Sequence, residues 1–285
     1  MELFFMALIT ITIALVLRRK EAFRFRWQPD RHTWTAVWAG LSAFILSASL
    51  LLFERGSLAA RFIHFGLIYV LCGFVIPWGY LLFVERGPIS AMGVKRDGWS
   101  VSLMVGLLMA ALFSPVLLKS DLGDIDRQEF IRVAFVLTGA GGLFELFLYY
   151  GFIHLRLEKA FGIVPAILAT SFLYVLWHTG TQLPLEPDPL AAMWKLFLVG
   201  VMYQSIFSLT RNLLIIWPFF HLAGVLLDFA VNIGAIDIIS QDFGWALGTL
   251  VAMGICGLVI SGLARVRTIR SLASKPDLSI ERINS

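Results

Sequence analysis

The chain has 285 residues, of which 59% are hydrophobic, 14% aromatic and only 15% charged, with a mean hydropathy of +0.83. That composition excludes a soluble domain of this length and points to an all-α, multi-pass membrane protein. The formal net charge of +4 does not indicate nucleic acid, because the basic residues sit in short loops between apolar runs. A transmembrane barrel would give short alternating segments in place of long continuous ones.

In chain order, about nine stretches have the length and apolarity of a bilayer-crossing helix. They run near Leu3–Leu17, Thr33–Phe53, Ile63–Val84, Trp99–Leu118, Phe130–Ile153, Ile163–His178, Ala192–Leu209, Leu213–Ile233 and Gly244–Ala264. The first and sixth are short, so eight to nine spans packed as a helical bundle is the expectation. The first run follows Met1-Glu2 directly, without a basic leader, and is read as a retained anchor.

Loop charge alternates. Arg18, Arg19, Lys20, Arg24, Arg26 and Arg31 follow the first span, Arg86, Lys95 and Arg96 the third, Arg156 and Lys159 the fifth, Arg211 the seventh, and Arg265, Arg267 and Arg270 the ninth. The intervening loops carry Asp121, Asp124 and Asp126, then Glu186 and Asp188, then Asp237 and Asp242. This pattern predicts an outside N-terminus, a cytoplasmic C-terminus and a plasma membrane, preferably a bacterial inner membrane. One membrane domain is expected over 1–285: N-terminal helices 1–91, a core 92–233, and a last helix with a polar tail 234–285. The two cysteines, Cys72 and Cys256, lie inside predicted spans and offer neither a disulfide framework nor metal-ligand spacing.

Four polar groups stand out within the later spans: Glu145, His178, His221 and Asp228, with Asn232 on the same helical face as the last two. A carboxylate in hydrocarbon costs roughly 2.5–3.5 kcal/mol on insertion scales and marks a working site by default. Glu145 and His221 each lie about eight residues from the inner end of their spans, so at roughly 1.5 Å per residue they share a depth. His178 falls nearer the outer end of its helix, unless that helix starts deeper or Arg156–Lys159 lies in the interface. His32, His64 and His154 read as structural or interfacial. Gly139, Gly141 and Gly142 suit close helix approach, and Pro165 and Pro218 suit first turns.

Read together, Glu145-Leu146-Phe147-Leu148-Tyr149-Tyr150-Gly151, Tyr174-Val175-Leu176-Trp177-His178 and Trp217-Pro218-Phe219-Phe220-His221 resemble the three motifs of the CAAX protease and bacteriocin-processing family. These are intramembrane glutamic endopeptidases related to the type II CAAX prenyl protease. Met92-Gly93-Val94-Lys95-Arg96 resembles the short basic element before the family core, and the resemblance covers Met92 to Asn232. It implies Glu145, His178 and His221 as catalytic residues and a metal-free hydrolysis of a membrane-associated peptide or protein. Tyr149, Tyr150, Asp228 and Asn232 are the supporting candidates. The first motif's second Glu is replaced by Leu146 and its Arg by Tyr150, and the Asn or Asp expected after the third-motif His is Val225. The lost Glu and Arg stand four residues apart, the spacing of an ion pair, so their joint loss leaves no orphan charge.

In this reading Glu145 is a general base for water, with the two histidines orienting that water or stabilising the oxyanion. A divalent metal held by Glu145, His178 and His221 is the disfavoured variant. The alternatives are a catalytically degenerate relative acting as scaffold, chaperone or immunity factor, and a small transporter or proton relay. Membrane lipid and a membrane-associated substrate are the expected partners; no nucleic acid is expected, and the residues do not specify whether a substrate is prenylated.

Overall fold

The computed structural model describes residues 24–54, 57–95, 99–118, 142–181, 183–185 and 188–219. The predicted spans at Leu3–Leu17 and Gly244–Ala264, half of that at Phe130–Ile153, most of that at Leu213–Ile233, and the residues His221, Val225, Asp228 and Asn232 lie outside them. Everything described is helix, turn or loop, with no strand among the described residues.

Seven helices are described. Helix α1, Arg31–Leu52, closes with one 3₁₀ turn, and α2 is the long rod Leu58–Glu85, which contains i→i+5 hydrogen-bonded (π) stretches at Phe62–Val75 and Tyr80–Glu85. After a 3₁₀ turn at Ile89–Met92 come α3 (Trp99–Leu118) and α4 (142–161). Within α4, Gly142–Leu146 and Leu155–Phe161 flank a π stretch at Phe147–His154. Then follow α5 (Ile163–Trp177), α6 (Pro189–Thr210) and α7 (Leu213–Phe219). Helices α1, α2 and the Pro189–Ser208 part of α6 are long and apolar enough to cross a membrane, and Trp99–Leu108 and Ile163–Trp177 are shorter apolar helices. The protein is therefore a helical membrane protein.

The termini of these helices follow from local chemistry. Asp30 caps α1 by accepting from Thr33 N at 2.8 Å, while Thr33 Oγ1 accepts from Asp30 N at 3.2 Å, a reciprocal box that fixes where the helix starts. Asp188 caps α6 ahead of Pro189, whose missing N–H costs nothing at the first position. Pro165 lies in the first turn of α5, whereas Pro218 is the sixth residue of Leu213–Phe219 and sits inside α7, not at its start.

Helix α4 is the axis of the described bundle, with α1, α2, α5, α6, α7 and the Ile89–Met92 turn all packed on it. Leu146 and every residue of Phe147–His154 are buried. Gly151 is where the turn comes nearest: a Cβ there would stand 2.6 Å from the Met92 carbonyl oxygen, so only Gly lets the basic element pack on α4. The sequence ends the fifth span at Ile153, but α4 continues without a break to Phe161, so Arg156–Lys159 extends the same helix. The chain before α1 runs along that extension, with Arg26 N on Phe161 O at 3.1 Å and Gln28 N on Ala160 O at 3.0 Å.

The polar end of α4 is tied down by ion pairs. Arg156 is 7% exposed and forks onto Glu85 at 2.9 and 2.5 Å, joining α4 to α2. Glu158 pairs with Arg211 and lies 3.2 Å from His154 Nε2, which is 3.0 Å from Ser208 Oγ on α6. His32 and His154 are thus both held in structural networks, His32 by Tyr80 at 3.0 Å and Glu85 at 3.3 Å.

Glu158 lies beyond the apolar part of α4. Burial raises its carboxyl pKa, but the hydrogen bond with His154 and the charge of Arg211 outweigh that and hold it at about 2, below the ordinary 4.5. A depressed carboxylate contributes stability that is full above its unfolded value and is lost as pH falls through the folded one. Thermal unfolding in detergent should therefore show up to about 3 kcal/mol of stability lost between pH ~5 and ~2. Glu158→Gln should lower the midpoint at pH 7 and flatten that acid slope; an unchanged slope would rule out this origin.

Candidate active site

Glu145 lies on the Gly142–Leu146 turn that opens the described part of α4, and it is 6% exposed. Two side chains from the last turn of α5 bond it: the Tyr174 hydroxyl and the Trp177 indole N–H, which donate to its carboxylate. The buried carboxylate is thus solvated by the protein, as burial of such a group requires. Helix α5 is held at that level from the other side, because Ser47 Oγ of α1 donates to Trp177 O and accepts from Gly180 N at 3.1 Å.

His178 is the residue that ends α5, one position past Trp177. Its Nδ1 is 2.9 Å from Tyr174 O. A carbonyl oxygen can only accept, so Nδ1 carries the proton and the neutral ring presents a lone pair at Nε2. The Tyr174 and His178 rings meet edge to face at 4.7 Å. Tyr174 therefore touches both residues, through its hydroxyl and through its carbonyl and ring. The sequence puts His178 near the wrong end of its helix for Glu145; in the structure, the C-terminal turn of α5 is the part that reaches Glu145.

Around this pair stands an aromatic cage. Tyr149, one turn along from Glu145, meets Tyr174 at 5.8 Å and Trp177 at 5.4 Å, both edge to face. Tyr69 of α2 meets Trp177 edge to face at 5.3 Å. Gly73 lets α2 come this close, since a Cβ there would lie 3.0 Å from the Phe144 Cβ.

One residue that reads as structural in the sequence joins this site. His64 stacks near Tyr69, with ring centres 5.1 Å apart, and lies within electrostatic range of His178. Its buried Nε2 has no hydrogen-bond partner among the described residues. In an α-helix His64 and Tyr69, five residues apart, would point about 140° away from each other. The i→i+5 stretch from Phe62 to Val75 brings them onto one face, and no periodicity in the sequence announces such a stretch.

Leu146 and Tyr150 occupy the places of the absent Glu and Arg. Both are fully buried, and Tyr150 packs edge to face on Phe207 at 5.8 Å. An apolar and an aromatic side chain thus fill a region where one lone charge would be uncompensated. His221, Asp228 and Asn232 lie outside the described residues. Among the described residues, no three His, Cys, Asp or Glu side chains converge closely enough to hold a metal ion.

A mutant cycle tests the pair reading. Leu146→Glu alone should destabilise the protein by about 3–5 kcal/mol, the cost of one unpaired buried charge. Adding Tyr150→Arg should recover at least half of that loss in thermal unfolding. Strict additivity of the two single effects would rule the reading out.

The sequence model of the family described as Type II CAAX prenyl endopeptidase Rce1-like matches residues 127–227 of this chain. No curated protein matches. No solved structure matches. The matched segment includes Glu145, Tyr149, Tyr174, Trp177 and all three motif-like stretches, and over that third of its length the chain is similar to the type II CAAX prenyl endopeptidase family.

Proposed function

We propose that this protein is an intramembrane endopeptidase that hydrolyses a peptide bond of a membrane-associated substrate, with Glu145 as general base and His178 and His221 as its partners. The family match supports a membrane protease in general terms. The observation that carries the finer reading is a carboxylate buried on α4 and bonded by two donors from the turn that ends in His178.

In the proposed reaction, a water bonded to Glu145 loses a proton to the carboxylate as its oxygen attacks the substrate carbonyl carbon. The proton passes to the leaving amine nitrogen as the C–N bond breaks, which returns Glu145 to its carboxylate. His178 offers a lone pair at Nε2 and serves as a second acceptor that orients the water. His221 serves as donor to the carbonyl oxygen as negative charge builds on it, the role for which a preorganised donor is most valuable. Tyr149 walls the site, and Asp228 and Asn232 on the His221 helix are the candidates for the donor role left by Val225. The proposed setting is a nine-span bundle in a bacterial inner membrane, with an outside N-terminus and a cytoplasmic C-terminus.

The rival is a non-catalytic scaffold, chaperone or immunity factor, and it draws on Leu146, Tyr150 and Val225, which replace three motif residues. Comparing new protein N-termini in membranes of cells carrying the wild type and Glu145→Gln decides between them. The variant should lose a discrete set of cleavages, by about 10²-fold or more for a purified substrate. His178→Ala should reduce the same set. Undiminished cleavage by Glu145→Gln would end the protease reading.

A further inference from the structure

A second polar feature lies away from Glu145. A cavity of about 390 Å³ opens between the start of α1, the end of α2 and the polar end of α4. Its chemistry-bearing lining residues are Asp30, Arg31, His32, Glu85, Arg156 and Lys159. The apolar span of α1 begins at Arg31 and that of α2 ends at Glu85. These two antiparallel ends mark one face of the bilayer, so the cavity sits at headgroup depth.

Both acids in the lining are already committed. Glu85 is forked by Arg156, whose third nitrogen donates to Phe152 O at 2.9 Å and whose guanidinium lies 4.0 Å from the Phe152 ring centre. Asp30 spends its Oδ1 on Thr33 N and Oγ1, both at 2.8 Å. Lys159 reaches the other Asp30 oxygen only at 3.4 Å and is 77% exposed. Arg31 is exposed and makes no carboxylate contact among the described residues. The Arg156–Glu85 pair thus forms a floor, and the exposed Arg31 and Lys159, the latter held only by a long, solvent-exposed pair with Asp30, stand at the mouth. Exposed Arg24 and Arg26, on the segment bonded to the end of α4, add charge of the same sign beside it.

The apolar side of the mouth is also defined. Arg31, Trp34 and Trp38 are spaced three and four apart, on one face of α1, and both tryptophans are exposed. Across from them Val84 lines the cavity and its neighbour Phe83 is exposed. A cationic mouth continued by an indole stripe into the hydrocarbon layer matches a molecule with a phosphate at one end and acyl chains at the other.

We infer that this cavity is a binding site for an anionic phospholipid, its headgroup phosphate bridging Arg31 and Lys159 and its chains lying along Trp34 and Trp38. The inference needs the membrane setting but not the proteolytic reading, and its test has no activity readout.

Native mass spectrometry of the full-length protein in detergent, titrated with phosphatidylglycerol and separately with phosphatidylcholine, measures it. The wild type should hold one phosphatidylglycerol at least about five-fold more tightly than phosphatidylcholine, a factor expected for each surface cation engaged. Arg31→Gln/Lys159→Gln should abolish that preference, while Arg61→Gln, at the far end of α2, should leave it intact. Should the double variant fail to fold, Lys159→Glu alone should lower phosphatidylglycerol retention about five-fold, because that exposed side chain carries no packing. Inorganic phosphate at millimolar concentration should not displace the lipid. Displacement by phosphate would make this a free-anion site, and an unchanged lipid preference in the charge variants would overturn the site altogether.

Discussion

The hydrogen bonds from Tyr174 and Trp177 to Glu145 are the constraint around which the described bundle is arranged. An ionisable carboxyl inside a membrane protein must be satisfied by protein groups, because lipid offers none. Both donors come from a single turn of α5, so the last turn of that helix has to lie against the start of α4. That fixes the depth of α5, and Ser47 on α1 pins it there through Trp177 O and Gly180 N. The adjoining residue His178 then has little choice of position. Its ring orientation follows from Tyr174 O, a group of the residue that also bonds Glu145.

The polar end of α4 shows the same logic at the membrane boundary. Arg156 and Glu158 extend the helix beyond its apolar part, and each finds a partner on a different helix, α2 for the first and the end of α6 for the second. Anchoring α4 at that end and packing it on all sides elsewhere leaves Glu145 on a rigid element. The proposed role of Glu145 as general base would gain from such rigidity, since productive geometry has narrow tolerance.

The helical class and the approximate bounds of the described helices were legible from apolar run length alone. Glu145 and His178 were legible as polar residues in apolar surroundings. What the residues did not disclose has physical causes. The extension of α4 to Phe161 was masked because Arg156, Glu158 and Lys159 look like a loop by charge, and only their partners Glu85, Arg211 and Asp30 reveal a helix end. The place of His64 was hidden because it depends on i→i+5 geometry, which turns it toward the face of Tyr69 where an α-helix would not. The approach of the last turn of α5 to Glu145 was obscured by counting depth along each helix separately, as if all began at the same plane.

The cage has a consequence for chemistry that its aromatic content alone does not convey. Tyr69, Tyr149, Tyr174 and Trp177 surround Glu145 with rings that exclude bulk water yet offer polar edges. Such a wall keeps the local dielectric low, which strengthens each hydrogen bond to the carboxylate and raises the cost of any group left unpaired. His64, whose ring packs near Tyr69, and Tyr149 each keep a buried polar atom, Nε2 and the hydroxyl, without a hydrogen-bond partner among the described residues. Leaving such an atom unsatisfied costs on the order of 1–3 kcal/mol, which the packing of the surrounding rings has to offset.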